Sequence, residues 1–181
     1  AEIGGVRVAV VALTDQSASY AAGPSAPGTA FTSLSVDRLR VRQRLRAAIE
    51  AARAGDPDLL VATLHWGPNW ETEPSDDQRR PARWLIDEGV DAVHGHSAHV
   101  LQGVETYRGR PIVYDAGDFV DDYVIKEDLH NDRSFLFELV VADGQLSHLR
   151  LRPVEIVDER VEPAGDEAAA WLRERMRTLS A

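Results

Sequence analysis

Three histidines in two short, glycine-punctuated stretches carry the clearest capacity for chemistry: His65 in Leu64-His65-Trp66-Gly67, and His96 and His99 in Gly95-His96-Ser97-Ala98-His99. Imidazoles at the ends of neighbouring strands face one crevice on a rigid scaffold, which is how a metal centre is assembled from distant parts of a chain. The sequence contains no cysteine, so thiolate ligands and disulfides are excluded, and a transition metal has to be held by imidazole and carboxylate. His94 lies two residues before His96, and period-two geometry puts both on one strand face, with a structural or supporting role expected for His94. Asp115, Asp118, Asp121 and Asp122 form a dense acidic run that either supports the ligating imidazoles or makes a solvated turn around Gly117. Glu105 is expected to pair with an arginine or to accept an N–H from a histidine. Trp66 and Trp70, flanking Gly67 and Pro68, either wall a pocket or pack a strand end.

These residues need strands and helices to hold them, and the hydrophobic pattern supplies alternating elements. Val6–Leu13 and Leu59–Leu64 are apolar, β-rich runs that read as central strands, and Val90–Val93 reads as a third. Between the first two, the Ala/Gly/Ser/Pro-rich stretch from Ser17 to Ser33 predicts a surface loop. A helix follows, capped by Ser35, carrying Val36, Leu39, Leu45, Ile49 and Ala52 on one stripe, and stopping at Gly55. Ser75 and Gln78 have capping-box spacing and open a second helix containing Trp84, Leu85 and Ile86, in which Pro81 should kink the element or move its start. Two strand-helix-strand units in succession imply a parallel sheet, with ligands beyond the carboxyl ends of its strands, where the histidines fall. Leu101–Tyr107, Pro111–Asp115, Phe135–Ala142 and Leu146–Val157 read as further strands, the last two joined by an Asp143-Gly144 turn. A final helix spans Asp166–Leu179 with Ala170, Leu172 and Met176 inward. The class is therefore α/β, and 181 residues without a composition break predict one domain over 1–181.

A formal charge of −10 argues against nucleic acid as a partner, since a polyanion is repelled. An acidic substrate consequently needs local help, from a metal or from arginines; Lys126 is the only lysine. No apolar run approaches the roughly 18 residues that span a bilayer, and no signal-peptide pattern opens the chain.

The runs HWGPNW from His65 to Trp70, GHSAH from Gly95 to His99, QGVETYRGRPIVYDAGDF from Gln102 to Phe119 and the following Asp122-Tyr123 resemble the bacterial CapA family of capsule-synthesis proteins, associated with poly-γ-glutamate formation. The resemblance extends from about Val6 to about Val157. It implies a calcineurin-like metallophosphoesterase fold, a four-layer α/β/β/α sandwich, with a site for two divalent metal ions, Mn, Fe or Zn. It further implies that His65, His96 and His99 are metal ligands and catalytic residues, and it singles out Asp118, within the matched Gly117-Asp118-Phe119, among the acidic run. The early Gly-Asp and Asn-His motifs that supply the fold's remaining ligands do not occur here, so the expectation is that this chain corresponds to the C-terminal half of such a protein. The Asp128-Leu129-His130 string is read as a chance match, because no strand precedes it.

The resemblance implies metal-dependent hydrolysis of a phosphoryl or amide bond on an acidic polymer or a phosphorylated small molecule, with possible partners in a capsule-synthesis complex. A non-catalytic subunit that binds or assembles capsule polymer is the alternative from another class. A third reading is a mononuclear zinc hydrolase using His65, His96 and His99, since three imidazoles and an open position suffice to activate water. The location is either cytoplasmic or exported and anchored through a segment outside this sequence.

Overall fold

The apolar runs form the middle of a six-stranded sheet in the computed structural model, which describes residues 1–120 and 124–180. Asp121 and Asp122 lie outside the described residues. The strands are β1 (Glu2–Ile3), β2 (Val6–Thr14), β3 (Leu59–His65), β4 (Ala92–His96), β5 (Val104–Tyr107) and β6 (Arg110–Val113), in the spatial order β1-β2-β3-β4-β6-β5. Helix α1 (Leu39–Arg53) connects β2 to β3, and α2 (Asp76–Asp87) connects β3 to β4. These crossovers make β2, β3 and β4 parallel, as the strand-helix-strand pattern predicts; β6 joins them in parallel after the chain turns through β5, and β1 and β5 run antiparallel at the edges. A second, antiparallel sheet of β7 (Arg133–Ala142), β8 (Gln145–Val157) and β9 (Arg160–Pro163) carries α3 (Asp166–Leu179). The architecture is mixed α/β. No helix among the described residues is long and apolar enough to cross a membrane.

Strand register separates the two faces of the large sheet. Leu60, Ala62, Leu64, Val93 and Ile112 are buried on one face with Leu45 and Ile49 of α1 and Leu85 of α2. Full burial of each large aliphatic side chain there contributes about 1.5–3 kcal/mol. The opposite face carries the aligned rows Val10, Val61, Ala92 and Thr14, His65, His96, with Thr63 and His94 in the row between. Val10 is 59% exposed on that face, so only part of it is covered. The second core, with Leu101, Phe135, Leu172 and Met176, seats α3.

Several boundaries differ from the expectation, each for a local reason. Ser35 does not cap α1: Leu34 and Val36 are both buried and Ser35 is exposed, the alternation of an extended segment, and the helix begins only at Leu39, itself 66% exposed. Helix α2 starts at Asp76 and runs through Pro81 rather than beginning there; Gln78 Oε1 accepts the Ser75 N–H at 3.0 Å and secures the first turn. Strand β4 extends through His96, so His94 and His96 sit inside the strand. Leu101 makes only an isolated bridge to Ala116, and the regular ladder of β5 starts at Val104, because the end of α3 passes against Gly103 and Ser180 Oγ accepts the Val104 N–H at 3.0 Å. In α3 the inward stripe is Ala168, Ala169, Leu172 and Met176, with Ala170 exposed.

Gly95 is where the sheet leaves no room for a side chain. A Cβ there would stand 1.9 Å from the Tyr114 carbonyl oxygen and 2.5 Å from Trp66 Nε1, which itself donates to that carbonyl at 2.9 Å. Gly95→Ala should cost about 3 kcal/mol in chemical denaturation, by forcing β4 and β6 apart. A loss below about 0.5 kcal/mol, the size of an ordinary surface change, would contradict this packing.

Candidate functional site

Parallel register brings His65, the last residue of β3, beside His96, the last residue of β4. Their Nδ1 atoms are 3.3 Å apart, with ring centroids at 5.1 Å and planes inclined at 66°. Two nitrogens bound to one tetrahedral metal at about 2.0–2.1 Å stand about 3.3–3.4 Å from each other, so the pair fits two ligands of a single cation. Burial lowers the His96 pKa to about 4, and the neighbouring His94 and His65 rings add to the effect. Near neutral pH the ring is therefore an unprotonated donor, the form a metal requires. His94 stands one row back with its centroid 5.7 Å from that of His96, and its Nδ1 is 3.1 Å from Thr63 Oγ1, a bond that fixes the ring. Burial lowers its pKa as well.

The loop after β4 is held by Asp115, which follows the end of β6. Its carboxylate is fully buried, with Oδ2 accepting the Ala98 N–H at 2.7 Å and Oδ1 the Gly117 N–H at 2.9 Å. Burial raises this carboxyl to about 6, the two N–H donors acting against that rise. From the other side, the Trp66 N–H donates to His96 O at 3.1 Å and the Trp70 N–H to Ala98 O at 2.8 Å. Gln16 Nε2 bridges the loops, donating to Gly67 O and, at 2.9 Å, to Ser97 Oγ. Trp70 and His99 both have positive φ, 68° and 62°, conformations costly for such residues and maintained here by these bonds.

His99 lies on the same loop but faces other partners. Its Nδ1 is 2.8 Å from Asp118 Oδ1, and its ring stacks on Trp70 at 5.1 Å and 26°. Asp118 Oδ2 accepts from Asn131 Nδ2 at 3.3 Å. The structure thus brings His65 and His96 together, with His94 behind them, and engages His99 with Asp118. Among the described residues no three His, Asp or Glu side chains are grouped to hold one metal ion.

Of the remaining predicted residues, Glu105 pairs with an arginine: Arg83 donates two bonds to it, at 2.8 and 3.1 Å, and Tyr114 Oη donates at 2.6 Å. Trp66 is buried and stacked with Tyr114, packing the strand end, whereas Trp70 is half-buried beside His99. His130 of the Asp-x-His string packs edge-on against Trp171 at 4.8 Å. The sequence reading missed Asp15 and Gln16. Asp15 directly follows β2, whereas His65 and His96 end β3 and β4, and its N–H donates to His65 O at 3.3 Å; desolvation raises its carboxyl, opposed first by a backbone hydrogen bond and then by the neighbouring His65. Position at a strand's carboxyl end was the signal available for both.

Comparisons with known proteins place the chain among capsule-synthesis proteins. The family described as "Bacterial capsule synthesis protein PGA_cap" matches residues 1–123, which include His65, His96, His99, Asp115 and Asp118. A Mycobacterium tuberculosis (strain CDC 1551 / Oshkosh) protein named a probable polyglutamine synthesis accessory protein is 36% identical over 131 residues, 68% of this chain and 34% of its own. The Bacillus anthracis "Capsule biosynthesis protein CapA" is 34% identical over 120 residues, 66% of this chain and 28% of its own. The Bacillus subtilis (strain 168) "PGA biosynthesis protein CapA" is 32% identical over 122 residues, 67% of this chain and 30% of its own. The chain spans about a third of the length of these relatives.

Two pH effects of opposite sign meet in this site. His96 binds its proton less tightly folded than unfolded, so acidification from about pH 6.5 towards 4 weakens the fold. Asp115 binds its proton more tightly folded than unfolded, so acidification from about pH 6 towards 4 strengthens it. His96→Gln removes the first effect alone, and its stability relative to wild type should rise as the pH falls from 6 to 4 in denaturant titrations; parallel curves would contradict the assignment. Asp115→Asn leaves one acceptor for two buried N–H groups and should cost about 1–3 kcal/mol at pH 7, measured in the same way.

Proposed function

This chain belongs to the PGA_cap family of bacterial capsule synthesis proteins, and on that premise we propose that it is a CapA-like part of the machinery of poly-γ-glutamate capsule biosynthesis, hydrolysing a phosphoryl or amide bond with divalent metal ions. One observation carries the proposal: His65 Nδ1 and His96 Nδ1 stand 3.3 Å apart at adjacent strand ends, a spacing suited to a shared cation. The chemistry a divalent cation would supply at such a pair is polarisation of a phosphoryl or carbonyl oxygen and acidification of a water molecule.

The chain's own residues supply the rest. His65 and His96 would hold the cation, and His94, bonded to Thr63, would support the second of them. Asp118 fixes His99 through Nδ1, and that ring would serve either as a further metal ligand or as the group that hands a proton to the departing oxygen or nitrogen. Trp70 walls the site behind His99. The half-covered face of the six-stranded sheet, with Val10 59% exposed, supports a four-layer α/β/β/α calcineurin-like arrangement, in which another layer covers that face. That layer would also bring the remaining ligands for a dinuclear site.

A second reading, a non-catalytic subunit that binds or assembles the capsule polymer, draws on a different observation: no three-ligand cluster exists among the described residues. Metal analysis of the purified chain after equilibration with Mn, Fe and Zn separates the readings. Metal bound at the His65–His96 pair supports the metal-dependent hydrolase, a single zinc marks a mononuclear site, and no binding of any of the three metals supports the polymer-binding subunit. In either metal case His65→Gln and His96→Gln should each weaken binding by more than about a hundredfold. Unchanged stoichiometry and affinity in both variants would remove these histidines from the site.

A further inference from the structure

An anionic ligand approaching a chain with a net charge of −10 needs a local cation. Most arginines near the site are already neutralised. Arg83 is paired with Glu105 and Arg80 with Asp37 and Asp77, while Arg53 and Arg110 pair with Asp91 at the opposite, amino-terminal end of β4. Lys126, the only lysine, is placed differently: its Nζ lies 4.6 Å from the centroid of the Trp70 ring, the same ring that stacks on His99. Among the described residues it forms no ion pair with a carboxylate. A cation–π contact lowers the energy of an ammonium without cancelling its charge, so its N–H donors remain available to an incoming oxygen.

The backbone of Lys126 is fixed where it stands. Its N–H donates to Asn131 Oδ1 at 2.7 Å, and its carbonyl accepts from Leu129 N and His130 N at 3.0 and 2.9 Å. Asn131 is buried, and its Nδ2 donates to Asp118 Oδ2 and to Val124 O, both at 3.3 Å. One buried amide therefore links the lysine's turn to the carboxylate that orients His99. A surface lysine serving solubility alone needs no such connection.

We infer that Lys126 is the oxyanion-recognition residue of this site, taking a carboxylate or phosphate oxygen of the ligand beside His99, an assignment that rests on reading the surrounding residues as a functional site. Asn131 and Trp70 are its positioning residues. Lys126 lies beyond residues 1–123, over which the family match extends. Neither the motif resemblance nor any helical or strand periodicity points to it.

The test measures binding of two probes, an oligomer of γ-linked glutamate and inorganic phosphate, to the 181-residue chain and to Lys126→Gln and Lys126→Arg, with Zn²⁺ binding followed in parallel. Whichever probe binds identifies the oxyanion as carboxylate or phosphate. Lys126→Gln should weaken it about tenfold and flatten its salt dependence, Lys126→Arg should stay within about threefold, and Zn²⁺ binding should be unchanged in both. Equal probe affinity in wild type and Lys126→Gln overturns the assignment, as does the absence of probe binding to wild type. Lys126-dependent probe binding without any Zn²⁺ binding leaves the assignment standing and removes the metal reading instead.

Discussion

The candidate site depends on a buried carboxylate. Asp115 is fully enclosed, and its two oxygens accept the N–H groups of Ala98, on the histidine loop, and Gly117, on the segment leading to Asp118. One side chain thus ties the two stretches that present His96, His99 and Asp118. The cost of enclosing it is visible in its carboxyl, raised to about 6, and is offset by two short bonds to backbone donors that would otherwise be buried without partners. The isosteric amide offers a single oxygen and cannot accept both. The positive φ of Trp70 and His99 is sustained by the same arrangement, since the Trp70 N–H closes onto Ala98 O from the opposite side.

Around this clamp the large sheet divides its labour between two faces. The face under α1 and α2 is fully apolar, with Leu60, Leu64 and Ile112 at zero exposure, and it holds the strand ends in place. The other face carries imidazoles and hydroxyls in aligned rows and is only partly covered. Parallel strands are ordinarily enclosed on both faces, so the half-open face, which ends in the histidine row, is the one committed to something other than the stability of this part alone. Close approach at Gly95 brings β4 against β6 and so delivers the Asp115 clamp to the histidine loop.

Much of this was legible in the residues. Alternating apolar runs and helical stripes predict the βαβ order, and placement after strands marks His65 and His96 as neighbours, because parallel register with right-handed crossovers leaves few other arrangements. Local patterns were weaker where a long-range contact overrides them. Ser35 has the type and position of a helix cap, yet burial of Leu34 and Val36 keeps that segment extended. Leu101 reads as strand, yet the end of α3 against Gly103 delays the ladder to Val104.

Sequence by itself determined the class of the molecule, the exclusion of thiolate chemistry, the family and the histidines worth following, since each of these resides in residue type, order or spacing. Tertiary structure alone decided which imidazoles meet. His65 and His96 converge because the register pairs them, whereas His99, three residues further on, is turned to Asp118 by a loop that Asp115 and Trp70 fasten. Side-chain direction after a strand end is set by hydrogen bonds from residues distant in the chain, and no local pattern encodes those. The seat of Lys126 over Trp70 is of the same kind: 56 positions separate the two residues in the sequence, and only the folded loops put the cation on the ring.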